Sequence, residues 1–278
     1  MAIRKAAATV ATPPRPRGGA VDIHPTAIVH PKATLGAGVS VGPYTILTEH
    51  VTIGPRTTIG AHCVIEGRTS IGAACEIFTG AVVGSIPQDL KYRGEESLLL
   101  IGDRNKIREY VTINPGTAGG GGKTVIGSGC LLMAYAHVAH DCRIGDQVII
   151  ANSAALAGHI TIEDRAIVGG LVGIHQFVRV GTLAFVGGCS RVAQDVPPYA
   201  TCVGYPAKVF GLNTEGLRRA GVSSDVKRRL HHAFRVLFHS KLSMRHALEQ
   251  VAAEVGESPE LQHLLAFIRQ SRRGVCRA

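Results

Sequence analysis

The chain contains no tryptophan, and aromatic residues make up only 5% of its 278 positions. Aromatic side chains supply much of the burial in ordinary globular cores, so their scarcity favours a narrow interior of small aliphatic residues. The seven cysteines include no Cys-x-x-Cys pair, which argues against a zinc or dithiol centre and favours a reducing, cytoplasmic setting. No apolar run approaches the roughly 18 residues of a membrane-spanning helix, so no such span is expected.

In place of these features the sequence has an aliphatic residue at every sixth position, in three blocks. The positions are Ile23, Val29, Leu35, Val41, Leu47, Ile53, Ile59, Ile65, Ile71, Ile77 and Val83; Ile101, Ile107 and Ile113; and Ile126, Leu132, Val138, Ile144, Ile150, Leu156, Ile162, Val168, Ile174, Val180, Val186 and Val192. Neither a helix, with its period of 3.6, nor a strand, with its period of two, alone produces a strict six. A hexapeptide repeat does, and it predicts a parallel β-helix in which three hexads form each triangular coil.

The repeat also suggests how the chain is divided. Residues 1–20 carry basic but no acidic residues, and we expect them to form a disordered extension. The alternative interpretation is a weak transit-like segment. A β-helix domain over residues 21–200 should follow, interrupted by loops at 85–100 and 114–125, where the hexads stop. Residues 201–278 lack the repeat and should form an α-helical domain that caps the β-helix.

Serine residues mark the expected starts of three C-terminal helices. They are Ser224, Ser243 and Ser258, the last followed by proline and glutamate. The second loop contains Gly122-Lys123-Thr124, but a phosphate-binding loop would need a glycine at the position of Thr117 and a helix afterwards. We therefore interpret it as a linker or contact loop.

Three histidines fall near one edge of the predicted prism. His140, His159 and His175 are separated by 19 and 16 residues, close to the roughly 18 residues of one coil, and Asp141 follows the first of them. Histidine beside a carboxylate suits general-base catalysis near neutral pH. Two alternatives stay open at this point: incidental edge histidines, and a zinc site such as that of a gamma-class carbonic anhydrase.

Eight short motifs carry a family resemblance. They are HPTAIV at 24–29, PQDLKY at 87–92, IGDRNKIRE at 101–109, AHVAHDC at 136–142, LAGH at 156–159, HQF at 175–177, VGGCS at 186–190 and AQDVPPY at 193–199. Together they resemble the UDP-N-acetylglucosamine acyltransferases of lipid A biosynthesis, from about Val21 to the C-terminus. The resemblance implies a left-handed coil and a cytoplasmic homotrimer with sites between prisms.

The resemblance also implies a reaction and residue roles. An (R)-3-hydroxyacyl group would pass from acyl carrier protein to the 3-hydroxyl of UDP-N-acetylglucosamine, the first step of lipid A biosynthesis. His140 would be the general base, Asp141 would orient it, and the backbone N–H of Gly158 would stabilise the oxyanion. The implied substrate contacts are Asp89, Lys91, His137, His159, His175 and Gln176 for the sugar and phosphates, Gly188 for the acyl chain, and Asn213, Glu215 and Arg219 for the nucleotide end. No metal or cofactor is implied, because the thioester is already activated.

Charge and two departures from the family pattern qualify these expectations. The net charge of +10, concentrated towards the C-terminus, suits the acidic acyl carrier protein; nucleic acid is disfavoured because no aromatic stacking face is evident. Pro115 and Ala220 stand where the family usually has basic residues, which could weaken phosphate contacts. A related transferase with another acceptor or a coenzyme A donor, and a scaffolding β-helix with incidental histidines, remain the alternatives.

Overall fold

The computed structural model describes residues 19–254 and 258–278. The extension predicted for residues 1–20 lies outside the described residues except for its last two positions. Within the described part no helix is both long and apolar enough to cross a membrane.

Short parallel strands form most of the molecule. In chain order they are β1 Asp22–Ile23, β2 Ile28–Val29, β3 Thr34–Leu35, β4 Ser40–Val41, β5 Ile46–Leu47, β6 Thr52–Ile53, β7 Thr58–Ile59, β8 Val64–Ile65, β9 Arg68–Ile71, β10 Glu76–Ile77, β11 Val82–Val83, β12 Leu98–Ile101, β13 Lys106–Ile107, β14 Thr112–Ile113, β15 Lys123–Ile126, β16 Leu131–Leu132, β17 His137–Val138, β18 Arg143–Ile144, β19 Ile149–Ile150, β20 Ala155–Leu156, β21 Thr161–Ile162, β22 Ile167–Val168, β23 Gly173–Ile174, β24 Arg179–Val180, β25 Phe185–Val186, β26 Arg191–Val192, β27 Ala200–Gly204 and β28 Ala207–Leu212. Up to β26 every third strand joins the same sheet, and β27 and β28 are added to the first, which gives sheet A with 11 strands, sheet B with 9 and sheet C with 8. The chain therefore coils around a three-sided prism, as the hexad pattern predicted.

The hexad residues fill the interior of the prism. Ile53, Ile107 and Leu156 are almost completely buried, whereas Ile23 in the first strand is 42% exposed because no coil lies below it. A second inward position also carries small residues. There the Thr45 hydroxyl is buried, donates to the Gly60 carbonyl at 2.7 Å and accepts from the Cys63 N–H at 3.0 Å, so its burial leaves no unpaired polar group.

The glycines that follow the hexad residues are explained by close approach between coils. A Cβ atom on Gly54 would lie 2.5 Å from the carbonyl carbon of Gly72 in the next coil, closer than non-bonded atoms can come. Positive φ is found two residues later, at corner positions such as Arg56, Asp141 and His159. The corner between sheets B and C, which we call the B–C edge, contains Asp141 and His159.

Both predicted loops leave the prism at the B–C edge. The observed segments run over 84–97 and 114–122, shorter than predicted, because Leu98 and Lys123 already begin β12 and β15, which pair with each other. Four-residue strands here replace the usual two, and this extra pairing was not evident from the hexad spacing.

The C-terminal part begins with a hairpin and continues as helices. Strands β27 and β28 pair antiparallel and extend sheet A. The helices are α1 Thr214–Arg219, α2 Ser224–His239, α3 Met244–Glu254 and α4 Pro259–Arg269. The last three match the predicted helices, but Ser223 and not Ser224 caps α2, since its hydroxyl accepts the Val226 N–H. The hairpin and α1 were not predicted.

Candidate active site

A buried histidine–carboxylate pair lies at the B–C edge. The Nδ1 atom of His140 is 2.8 Å from Oδ2 of Asp141, and the side chains are 8% and 0% exposed. The hydrogen bond forms because Asp141, in the turn that follows β17, has the left-handed corner conformation, with φ of 61°. An acceptor at Nδ1 leaves Nε2 of His140 as the nitrogen available for proton transfer.

His159 lies one coil away and packs against this pair. Its ring meets that of His140 edge-on at 5.0 Å between centroids and stacks on Phe177 at 4.4 Å. Its Nδ1 is 3.9 Å from Oδ2 of Asp141. Burial lowers the pKa of His159, and the neighbouring His140 acts in the same direction, while Asp141 opposes the change. A neutral His159 ring at neutral pH is the consequence.

A groove of about 480 Å³ opens beside the pair on the outer face of sheet B. Its floor carries the outward residues of four successive strands, His137, Ala155, Gly173 and Arg191. Its other lining residues include Gln88, His140, Gly158, His175 and Gln176. The structure therefore brings most of the predicted catalytic and sugar-binding residues to one groove.

Two of the groove histidines have defined surroundings. Nδ1 of His137 is hydrogen-bonded to the Thr112 hydroxyl at 2.7 Å, and burial, followed by the nearby His140, lowers its pKa. His175 is exposed and its Nδ1 is 3.2 Å from the Gln176 carbonyl. His137 is thus held in one orientation, whereas His175 presents its ring to solvent at the groove.

The first loop lies close to the same histidines. Gln88 lines the groove, and the charges of Asp89 and Lys91 act in opposite directions on the pKa of His159, which places both near it. Asp89 Oδ1 accepts the Lys91 N–H at 3.0 Å, so the loop's turn is held by its own side chain. These two predicted substrate residues therefore lie close enough to His159 for their charges to act on its ring.

Gly158 lies directly against the His140 ring. A Cβ atom there would be 2.5 Å from Cε1 and 2.7 Å from Nε2 of His140, so no other residue fits without moving the ring. The Gly158 N–H donates to no backbone carbonyl among the described residues. It is therefore a donor available to a bound group close to Nε2.

The predicted nucleotide residues lie elsewhere. Asn213, Glu215 and Arg219 line a second groove of about 740 Å³ over the outer face of sheet A, with Ile149 and Ile167 on its floor. Gly188, predicted for the acyl chain, follows β25 at the corner between sheets A and B and is not among the residues lining the first groove. One chain thus distributes its candidate substrate residues over two faces.

Hydrogen bonds order the second groove. Asn213 caps α1 by accepting the Gly216 N–H at 3.0 Å and also donates to the Leu183 carbonyl at 2.8 Å. Glu215 pairs with Arg218 and Arg219 at 2.7 and 2.8 Å. The hydrogen bond from Arg218, supported by Arg219, lowers the pKa of Glu215 to about 2, so this carboxylate stays ionised.

Two threonines that contact Asp141 were not predicted. Thr117 donates to its carboxylate and Thr124 accepts its N–H, from 24 and 17 residues away. The only signal in the sequence was that the second loop interrupts the repeat. His140, Asp141 and His159 place possible metal ligands within 4.8 Å of one another, but Asp141 Oδ2 already accepts from Thr117 and faces His140 Nδ1, an arrangement that suits a hydrogen-bonded pair better.

Comparison with known proteins places the chain in a family. Residues 32–67 and 123–158 match the bacterial transferase hexapeptide family, and residues 195–276 match the second domain of UDP-N-acetylglucosamine O-acyltransferase. The acyl-(acyl-carrier-protein)–UDP-N-acetylglucosamine O-acyltransferase of Anaeromyxobacter dehalogenans is 53% identical over 255 residues, 92% of this chain and 99% of that protein. The corresponding protein of Myxococcus xanthus is 51% identical over the same shares.

Solved structures agree. LpxA from Acinetobacter baumannii matches with a TM-score of 0.88 and 44% identity, covering 92% of this chain and 99% of that one. UDP-N-acetylglucosamine acyltransferase from Arabidopsis matches with a TM-score of 0.81 and 37% identity, covering 92% and 100%. These matches confirm the predicted fold class, a left-handed parallel β-helix with a C-terminal helical cap. The chain belongs to the family of acyl-(acyl-carrier-protein)–UDP-N-acetylglucosamine O-acyltransferases.

Proposed function

We propose that this chain transfers an (R)-3-hydroxyacyl group from acyl carrier protein to the 3-hydroxyl of UDP-N-acetylglucosamine, the first step of lipid A biosynthesis. The observation that carries the proposal is the buried His140–Asp141 pair beside the available N–H of Gly158, in a chain of this family. A base and an oxyanion donor at one point of a groove are what acyl transfer from a thioester requires.

The geometry supports a definite sequence of proton transfers. Asp141 accepts the Nδ1 proton of His140, so Nε2 takes the proton of the sugar hydroxyl as its oxygen attacks the thioester carbonyl. The Gly158 N–H donates to the resulting oxyanion, an interaction worth about 3 kcal/mol in comparable sites. Collapse expels the thiolate of the carrier's prosthetic group, and the His140 imidazolium returns the proton to it.

The rest of the groove suits the two substrates. Neutral His137 and His159, with His175 and Gln176, offer hydrogen bonds to sugar hydroxyls and phosphates, and Asp89 and Lys91 approach from the first loop. The small residues Ala155 and Gly173 leave the floor open for an acyl chain. A contact between Gly188 and that chain stays a prediction.

A homotrimer would join the two grooves. They lie on sheets A and B of one chain, so a site that uses both needs the sheet A groove of a second chain. The corner between these sheets also carries exposed aromatic stacks, Tyr44 on His62 and Tyr110 on Tyr135. Exposed apolar side chains along one edge are typical of an interface between subunits.

Mixing two variants, each damaged in a different groove and assayed well below the KM for UDP-N-acetylglucosamine, tests this assembly. Coexpressed His140→Ala and Arg219→Glu chains should recover about a quarter of wild-type activity, because each site takes one groove from each of two chains chosen at random. As control, coexpressed His140→Ala and Asp141→Ala chains share the damaged groove and should stay inactive. No recovery in the first mixture would overturn the shared site.

The net charge of the chain bears on its acyl donor, and its free cysteines bear on its cellular compartment. A net charge of +10 would attract an acidic carrier protein, so kcat/KM for the acyl carrier protein donor should fall as salt rises, while a coenzyme A thioester should react poorly at every salt concentration. All seven cysteines are free, which suits a reducing cytoplasm.

Transfer assays with carrier-bound donors of several chain lengths test the proposed reaction. No turnover with any of these donors would favour another acceptor.

A further inference from the structure

The second loop encloses the carboxylate of Asp141. The Thr117 N–H donates to Oδ1 at 2.9 Å, and the Thr117 hydroxyl donates to Oδ2 at 2.6 Å. Oδ2 is the same oxygen that lies 2.8 Å from Nδ1 of His140. Thr117 is itself buried, so one residue holds both oxygens of a carboxylate that has no contact with water.

The backbone of the second loop packs directly against this carboxylate at Gly120. A Cβ atom on Gly120 would lie 1.9 Å from the carboxyl carbon of Asp141, so only glycine fits there. The Asp141 N–H in turn donates to the buried Thr124 hydroxyl at 2.8 Å. Thr124 therefore binds the backbone of Asp141, which has the left-handed conformation, and Thr117 binds its side chain.

Thr117 is in turn held by its own loop and by the first loop. Its carbonyl accepts the N–H groups of Gly120 and Gly122 at 3.0 and 2.8 Å. The adjacent Ala118 N–H donates to Glu95 at 3.1 Å, which ties the two loops together. The two interruptions of the repeat thus form one assembly that ends on Asp141.

We propose that Thr117 is a positioning residue for the acyl transfer, fixing the plane of the Asp141 carboxylate so that Oδ2 receives the Nδ1 proton of His140. This inference rests on the proposed function of the His140 pair. Without the hydroxyl the carboxylate keeps one donor at Oδ1 and gains freedom to rotate about its last bond. The His140 ring, which lies against Gly158 and is hydrogen-bonded to Asp141 through Nδ1, would then sample orientations in which Nε2 does not meet the sugar hydroxyl.

Removing only the hydroxyl tests the assignment. Thr117→Val keeps the N–H and the shape, and should lower kcat by roughly 10- to 100-fold, the rate equivalent of one hydrogen bond to a charged group, with little change in KM. Thr117→Ser restores the hydroxyl and should restore most of kcat. The matched control is Thr57→Val, which removes an equally buried hydroxyl from its bond to the Gly72 carbonyl elsewhere in the prism and should leave kcat unchanged.

Two further results decide between positioning and mere support of the fold. In an Asp141→Ala background Thr117→Val should cost no further activity, because the hydroxyl acts through that carboxylate. Full kcat in Thr117→Val, an additive loss in the double variant, or failure of both Thr117→Val and Thr117→Ala to fold would each overturn the proposal. An inactive wild type would overturn the proposed function itself, and transfer that survives in His140→Ala would overturn the base on which it rests.

Discussion

His140 and Asp141 are adjacent in the chain, yet their side chains meet at 2.8 Å inside the protein. In a regular strand adjacent side chains point to opposite faces, so this contact depends on the corner conformation of Asp141, whose φ is 61°. This conformation turns the carboxylate towards Nδ1 of His140 and away from solvent. The left-handed corner conformation recurs in successive coils of the β-helix. At Asp141 this conformation orients the adjacent histidine as a base.

Substitution of Gly158 should disturb this pair more than it disturbs the fold. In Gly158→Ala the new methyl group would fall 2.5 Å from Cε1 of His140, so the ring must move and acyl transfer should fall by at least tenfold. Gly211→Ala is the control, since a Cβ there meets nothing within 4 Å. Steady-state kinetics and thermal melting of both variants test the expectation, which fails if Gly158→Ala keeps wild-type kcat.

The two arginines bound to Glu215 should contribute unequally to nucleotide binding. Arg219 lines the sheet A groove, whereas Arg218, although it binds the same carboxylate, is not one of the groove residues. Arg219→Ala should raise KM for UDP-N-acetylglucosamine about tenfold or more with kcat little changed, as expected for a lost charged hydrogen bond. Arg218→Ala should raise it less; the reverse order would exclude Arg219 from the nucleotide site.

An ion pair couples the helical part to the prism in a pH-dependent way. His263 on α4 is 2.7 Å from Glu163 in the turn after β21. The hydrogen bond to Glu163 raises the pKa of His263 above its ordinary 6.5. Burial of Glu163 opposes its ionisation, but His263 and Thr182 outweigh this effect, so its pKa lies below the usual value of 4.5.

The sign of the pH effect follows. The His263 contribution is complete below about pH 6.5 and is lost as the pH rises through its raised pKa in the folded protein. The melting temperature at pH 6 minus that at pH 8.5 should therefore be smaller in His263→Gln than in wild type. His246→Gln, which changes an exposed histidine near Ser243, should keep the wild-type difference; an unchanged difference in His263→Gln would refute the coupling.

The sequence predicted the prism well because its signal is redundant. Each of many hexads independently requires an inward aliphatic residue such as Ile107 or Leu156, so a single ambiguous position does not alter the period. The hairpin of β27 and β28 and the six-residue α1 have no such repetition, and their formation depends on packing at the end of the prism. Those elements could not be read from local pattern.

The repeat predicted only those contacts in the candidate site that its own period creates, whereas loop residues such as Asp89 and Lys91 were implied by the family resemblance. His140 and His159 are close to one coil apart in sequence, so their contact followed from the period. Thr117 reaches Asp141 through an irregular loop, whose path no periodicity describes. The division of substrate residues between sheets A and B also required the observed positions of α1 and the grooves.

Replacement of Asp141 by asparagine should show whether the negative charge of its side chain, and not only its shape, is needed for acyl transfer. Asp141→Asn preserves volume but offers an uncharged group to Nδ1 of His140 and places its amide among the donors of Thr117. We expect kcat to fall by about 100-fold or more, because the imidazolium formed during transfer loses its partner. Near wild-type kcat in a folded Asp141→Asn protein would mean that the carboxylate plays no part in the reaction.

The most direct test of the account is acyl transfer from a 3-hydroxyacyl carrier protein to UDP-N-acetylglucosamine by wild type and by His140→Ala, at equal concentrations of folded protein. Loss of the general base should lower the single-turnover rate by two or more decades while binding of the UDP-sugar persists. Transfer by His140→Ala at a rate close to that of wild type would contradict the assignment of His140 as the base on which the mechanism depends.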